Sequence, residues 1–189
     1  MKRIKVPAII YGLIFFLLFA GVVLGSAYQM KTGEGNGVQD YLTNFFEQIK
    51  GGADSNAVFK NALKENFICL GIVFAAGFFR IGFVFSGAAV LRRGFVIGFT
   101  AAGFVRYFGA KGFLAVLAML PGTILIIPGL LFFASLSSTY ALKSEKTDKK
   151  YIITYILFML ITSAIFCISA LAEGYLTTTF IKQLAITMI

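Results

Sequence analysis

The chain contains no histidine. That absence removes the usual general base, the commonest metal ligand and the partner on which serine and cysteine nucleophiles ordinarily depend. The eight Asp and Glu side chains are the next candidates, because two carboxylates held at mid-membrane can share a proton and drive aspartyl proteolysis. None of them falls in the middle of an apolar run, since Glu65 and Glu173 stand at segment ends. A serine–lysine dyad requires a lysine at the depth of its serine, and the sequence offers none for Ser86, Ser135, Ser137 or Ser163. There is no GxxxxGK[ST] phosphate loop. Cys69 and Cys167 lie inside apolar runs without metal-ligand spacing and read as packing residues. The expectation is a protein that is not an enzyme, with no catalytic, cofactor-binding or metal-binding set.

The elements that carry these residues are membrane spans. A chain of 189 residues that is 59% hydrophobic, with a mean hydropathy of +0.88, is too apolar for a soluble domain of this size. A helix needs roughly 20 apolar residues to cross a hydrocarbon core of about 30 Å. The length accommodates about five such helices and one modest polar segment, so the fold expected is a single all-α integral membrane domain over residues 1–189. The formal charge of +9 would point to nucleic acid in a soluble protein. Here the basic residues sit between apolar runs, where they set topology and meet anionic membrane lipid, and no nucleic-acid partner is expected.

Lys2, Arg3 and Lys5 precede the first run, 6–24, and hold the N-terminus in the cytoplasm by the positive-inside rule. This run exceeds a secretion-signal core of about 7–15 residues and reads as an uncleaved anchor; cleavage would remove one span without inverting the rest. Residues 27–65 form an extracytoplasmic amphipathic segment, in which Tyr41, Phe45, Phe46 and Phe59 are candidate partner-binding residues. The second run, 66–90, is interrupted by Arg80, which must pair, snorkel or meet water. Either Arg80 sits mid-span or it marks a cytoplasmic end from which 81–91 dips back as a re-entrant segment; both readings place Arg92 and Arg93 inside. A short third run, 94–108, carries Gly94 and Gly98, and the first carries Gly21 and Gly25, a spacing that lets helices approach closely within the bundle or between copies in a homo-oligomer. The stretch 112–142 is too long for one straight span, and Pro121-Gly122 with Pro128-Gly129 predict a broken helix. Residues 143–150 form a cytoplasmic basic loop, 151–172 a fifth span, and the tail from Glu173 lies outside.

Three passages resemble the stage II sporulation protein M family. They are Arg92-Arg93-Gly94-Phe95-Val96-Ile97-Gly98, then Leu120-Pro121-Gly122 with its long apolar continuation, then Ala172-Glu173-Gly174-Tyr175-Leu176-Thr177. Where many relatives place a histidine between Pro and Gly and a glutamate soon after, Pro121 meets Gly122 directly and 124–127 holds no acid. The resemblance covers about two thirds of the chain. It implies a membrane scaffold required for endospore formation that assembles and localises the peptidoglycan-degrading stage II sporulation proteins D and P at the septum during engulfment, on its mother-cell side. The rival reading, from Arg80 and the two Pro-Gly pairs, is a small transporter or the permease subunit of an exporter.

Overall fold

The computed structural model describes residues 7–32, 55–142 and 149–180. Tyr41, Phe45 and Phe46 lie outside the described residues. Pro7 opens helix α1, Ala8–Thr32; its fixed φ suits a first turn, and its carbonyl accepts from the Ile10 and Tyr11 amides. Helix α2, Ser55–Phe78, runs unbroken from the polar segment into the bundle. The chain then reverses over 79–81. The Phe79 amide donates to the Ala76 carbonyl and the Gly82 amide to the Phe79 carbonyl, and a Cβ on Gly82 would collide with the Ala76 carbonyl oxygen.

Beyond this turn lies a helical stretch, Gly82–Leu142, whose single departure from helical backbone is Gly109, at φ 58° and ψ −132°. Only glycine adopts that conformation without strain. It divides the stretch into α3, Gly82–Ala110, and α4, Gly112–Leu142. Helix α5 covers Lys149–Leu171 and continues as a π-helical segment, Ala172–Thr177, to Phe180. No strand occurs among the described residues. Among the described residues five helices are long and apolar enough to cross a membrane, and their outward residues include Ile9, Phe16, Phe19 and Ile153, each more than half exposed. A soluble protein would hide that surface, whereas lipid solvates it.

The core runs along the bundle axis through Leu70, Val73, Val90, Leu130, Phe133, Tyr155 and Phe166. Three features hold the helices in register. Helices α1 and α3 run parallel and touch backbone to backbone: a Cβ on Gly21 would lie 3.2 Å from the Gly94 Cα, and one on Gly98 would lie 2.8 Å from the Val22 Cα. Ser26 Oγ donates across this seam to the Gly98 carbonyl at 3.2 Å. At the end where α1 begins, here called proximal, Tyr155 stacks on Tyr140 (centroids 4.7 Å apart, planes 3° apart) and on Phe133 and Phe74. Its hydroxyl donates to the Phe74 carbonyl at 2.9 Å. At the opposite, distal end, Arg106 donates to the Gln29 and Met30 carbonyls in the last turn of α1, where a cation complements the helix dipole.

Four expectations are corrected. The helix over 112–142 is continuous through Pro121 and Pro128: each proline removes one amide donor without breaking the backbone, and Ser169 Oγ donates to the Gly122 carbonyl nearby at 2.9 Å. The break falls at Gly109 instead. Arg80 occupies the turn between α2 and α3 and is exposed; residues 81–91 are not re-entrant but enter a long helix. Arg92 and Arg93 stand inside α3 rather than in a connection, roughly 16 Å from its start at 1.5 Å per residue. Glu173 belongs to the extended fifth helix rather than to a tail.

Candidate functional site

Arg93 and Glu173 define the centre of the site. Arg93 Nη2 lies 3.4 Å from Glu173 Oε1, and the two side chains are 20% and 24% exposed. A lone charge at the centre of a membrane helix costs about 2.5–3.5 kcal/mol on insertion scales, so each of these residues is tolerable chiefly because the other is there. Helix α3 brings the arginine, and the π-helical segment brings the glutamate. The wider π turn interrupts the regular i,i+4 ladder, a device that recurs at functional positions in long helices.

Small residues give the carboxylate its place. A Cβ on Gly122 would press on the Glu173 side chain, 3.0 Å from Oε1, and a Cβ on Gly174 would meet Phe59 at 2.9 Å from its Cα. Both glycines are there for close approach. Phe59 is half-buried, and its ring faces Tyr175 at 6.3 Å between centroids. The Tyr175 hydroxyl donates to Asn56 Oδ1 at 2.9 Å, and Thr178 Oγ1 donates to the Gly174 carbonyl at 2.7 Å. Below the pair, Asn66 Nδ2 donates to the Phe166 carbonyl at 3.4 Å. Beside it, Arg92 Nη2 meets Glu65 Oε2 at 3.3 Å on an open flank, with side chains 62% and 55% exposed.

The three sequence passages that carried the family resemblance meet here. Arg93 comes from the first, Gly122 from the second, and Glu173 with Gly174 from the third. Of the residues singled out in the sequence, Phe59, Gly122 and Glu173 join this junction, with Pro121 beside Gly122. Gly21, Gly25, Gly94 and Gly98 form the α1–α3 seam, Gly129 packs on Ile165 and Phe166, and Pro128 is exposed on α4. Arg80 stays apart, at the proximal turn.

Sequence reasoning missed the partners of the two arginines. By sequence Glu65 and Glu173 read as segment ends, whereas both lie inside helices opposite arginines. The available signal was that 82–110 can be read as one long run interrupted by Arg92-Arg93, which demands acids at the same depth on neighbouring helices.

Chemically, the junction positions helices. Among the described residues no group of three or more His, Cys, Asp or Glu side chains could hold a metal ion. The Arg93–Glu173 pair ties α3 to α5 beside α4, and the Phe59–Gly174 contact ties α2 to the same point.

Five long apolar helices among the described residues, two of them joined by this ion pair, define a multi-pass helical membrane protein. The stage II sporulation protein M family matches over residues 10–178, most of the chain, and the chain belongs to that family. It is therefore a sporulation-related membrane protein. No curated protein and no solved structure matches it.

Proposed function

We propose that the chain is a non-catalytic membrane scaffold that assembles and localises peptidoglycan-degrading partners at the sporulation septum during engulfment. The observation that carries this reading is membership of the stage II sporulation protein M family across residues 10–178. The chemistry agrees: a chain without histidine, whose central polar cluster pairs side chains instead of offering them to a substrate, depends on partners for bond cleavage. In this reading the N-terminus is cytoplasmic, the segment within 27–65 that precedes the second span and the C-terminus face the wall, and stage II sporulation proteins D and P dock there.

The features that suggested transport have other accounts in the fold. Arg80 sits exposed in a helix reversal, and α4 stays helical through Pro121 and Pro128. Affinity purification of a tagged copy from detergent-solubilised sporulating cells, followed by mass spectrometry, tests the scaffold. Co-purifying wall hydrolases are the expected result, weakened by Phe45→Asp without loss of insertion. Recovery of an ATPase with no hydrolase would replace the scaffold with an exporter permease.

A further inference from the structure

One flank of the bundle is charged at a depth where its other flanks are apolar. Lys60 and Lys64 are exposed on α2, one turn apart and so on one face of the helix. Glu65, 55% exposed, follows Lys64 in the chain and pairs with Arg92, 62% exposed, from α3. The depth follows from contacts already described: Gly21 packs on Gly94, and Gly122 packs on Glu173, the partner of Arg93. At that level the surface elsewhere is made by Val23, Val96, Ile124, Leu171 and Leu176, all 46–60% exposed. Those residues require lipid around them. The charged flank is therefore not a part of the bundle that simply projects into water.

Helix lengths give the consequence. The uncharged part of α2, residues 66–78, is about 20 Å long at 1.5 Å per residue, against a hydrocarbon core of about 30 Å. Helix α1, with 25 residues, is about 37 Å long by the same measure. A bundle with one short flank and one full-length flank draws the bilayer surface inward on the short side. Three cations against a single carboxylate leave that flank positive, and the long stems of lysine and arginine let the charges reach a dipping headgroup layer.

We infer that Lys60, Lys64 and Arg92 form a binding site for the phosphodiester headgroup of an anionic phospholipid, drawn into the distal leaflet where that leaflet thins against α2. Helix α1 packs on α3 and α4 rather than on α2 or α5, so its outer face is the internal reference.

The chain has no tryptophan, so a single introduced one reports a single place. Full-length protein carrying Asn61→Trp, between the two lysines, or Val23→Trp, on α1, is reconstituted in phosphatidylcholine vesicles. Each contains an equal fraction of either brominated phosphatidylglycerol or brominated phosphatidylcholine, which quench on contact. A basic residue near the surface favours anionic lipid by about fivefold. The Asn61 reporter is expected to be quenched at least about fivefold more effectively by the phosphatidylglycerol, and the Val23 reporter equally by both.

In the Lys60→Gln, Lys64→Gln background the preference at position 61 falls to about one, while the Val23 reporter, unchanged, shows that the bundle is still inserted. Equal quenching at position 61 with both lysines present overturns the inference without recourse to any lysine variant. Absence of quenching by either lipid also overturns it, because the flank then faces water. Inorganic phosphate is added against chloride at matched ionic strength: a preference abolished only by phosphate marks a site for the free anion and overturns the headgroup assignment, and a preference that survives supports it.

Discussion

Replacing Gly98 by isoleucine tests the α1–α3 seam. A Cβ at this position would lie 2.8 Å from both the carbonyl carbon and the Cα of Val22. These are backbone atoms, so no rotamer change relieves the contact and α1 itself must move. Overpacking of this kind costs about 1–3 kcal/mol. Separation of the helices also removes the Ser26–Gly98 hydrogen bond, worth about 0.6 kcal/mol between membrane helices. Against this, replacing glycine by isoleucine in a helix interior recovers about 0.5 kcal/mol of propensity. The net expectation is a loss of about 1–3 kcal/mol. Gly71→Ile is the matched control, since a Cβ there meets nothing within 4 Å and only the propensity gain of about 0.5 kcal/mol remains. Unfolding of the purified chain by SDS titration, followed by circular dichroism, measures both. Equal stabilities for the two variants would refute the close-packed seam, whatever their absolute values.

Three further outcomes follow from the same contacts. Arg93→Met and Glu173→Gln should each cost about 2–3 kcal/mol, below the 3–5 of a fully buried pair because both side chains retain some exposure. The double variant should fall short of the sum by about 1–2 kcal/mol, and strict additivity in the same titration would show that the two residues do not act as a pair. Tyr155→Ala, which empties the centre of the proximal aromatic stack, should cost about 3–5 kcal/mol. Tyr155→Phe keeps the stack and loses the bond to the Phe74 carbonyl, about 0.6 kcal/mol; a loss as large as that of the alanine variant would assign the stability to the hydroxyl.

Where sequence reasoning failed, it did so at residues whose meaning depends on a neighbour. Glu173 looked like the start of a tail because acids usually mark the end of a span; across the helix interface it meets Arg93 and is held inside the bundle. Pro121 and Pro128 read as breaks because proline removes a backbone donor, yet α4 stays helical through both, packed against its neighbours in the bundle. The break went to Gly109, where no residue but glycine adopts the observed backbone without strain.

What the sequence determined by itself is the all-helical membrane class, close to five spans and the family. These follow from local quantities: the length and apolarity of each run and the short passages around Gly94, Gly122 and Glu173. What only the tertiary structure decided is which charges neutralise each other and which flank remains charged. A charge in a membrane helix is tolerable or prohibitive according to what stands beside it, and for Arg93 that neighbour is 80 residues away in the chain and 3.4 Å away in space.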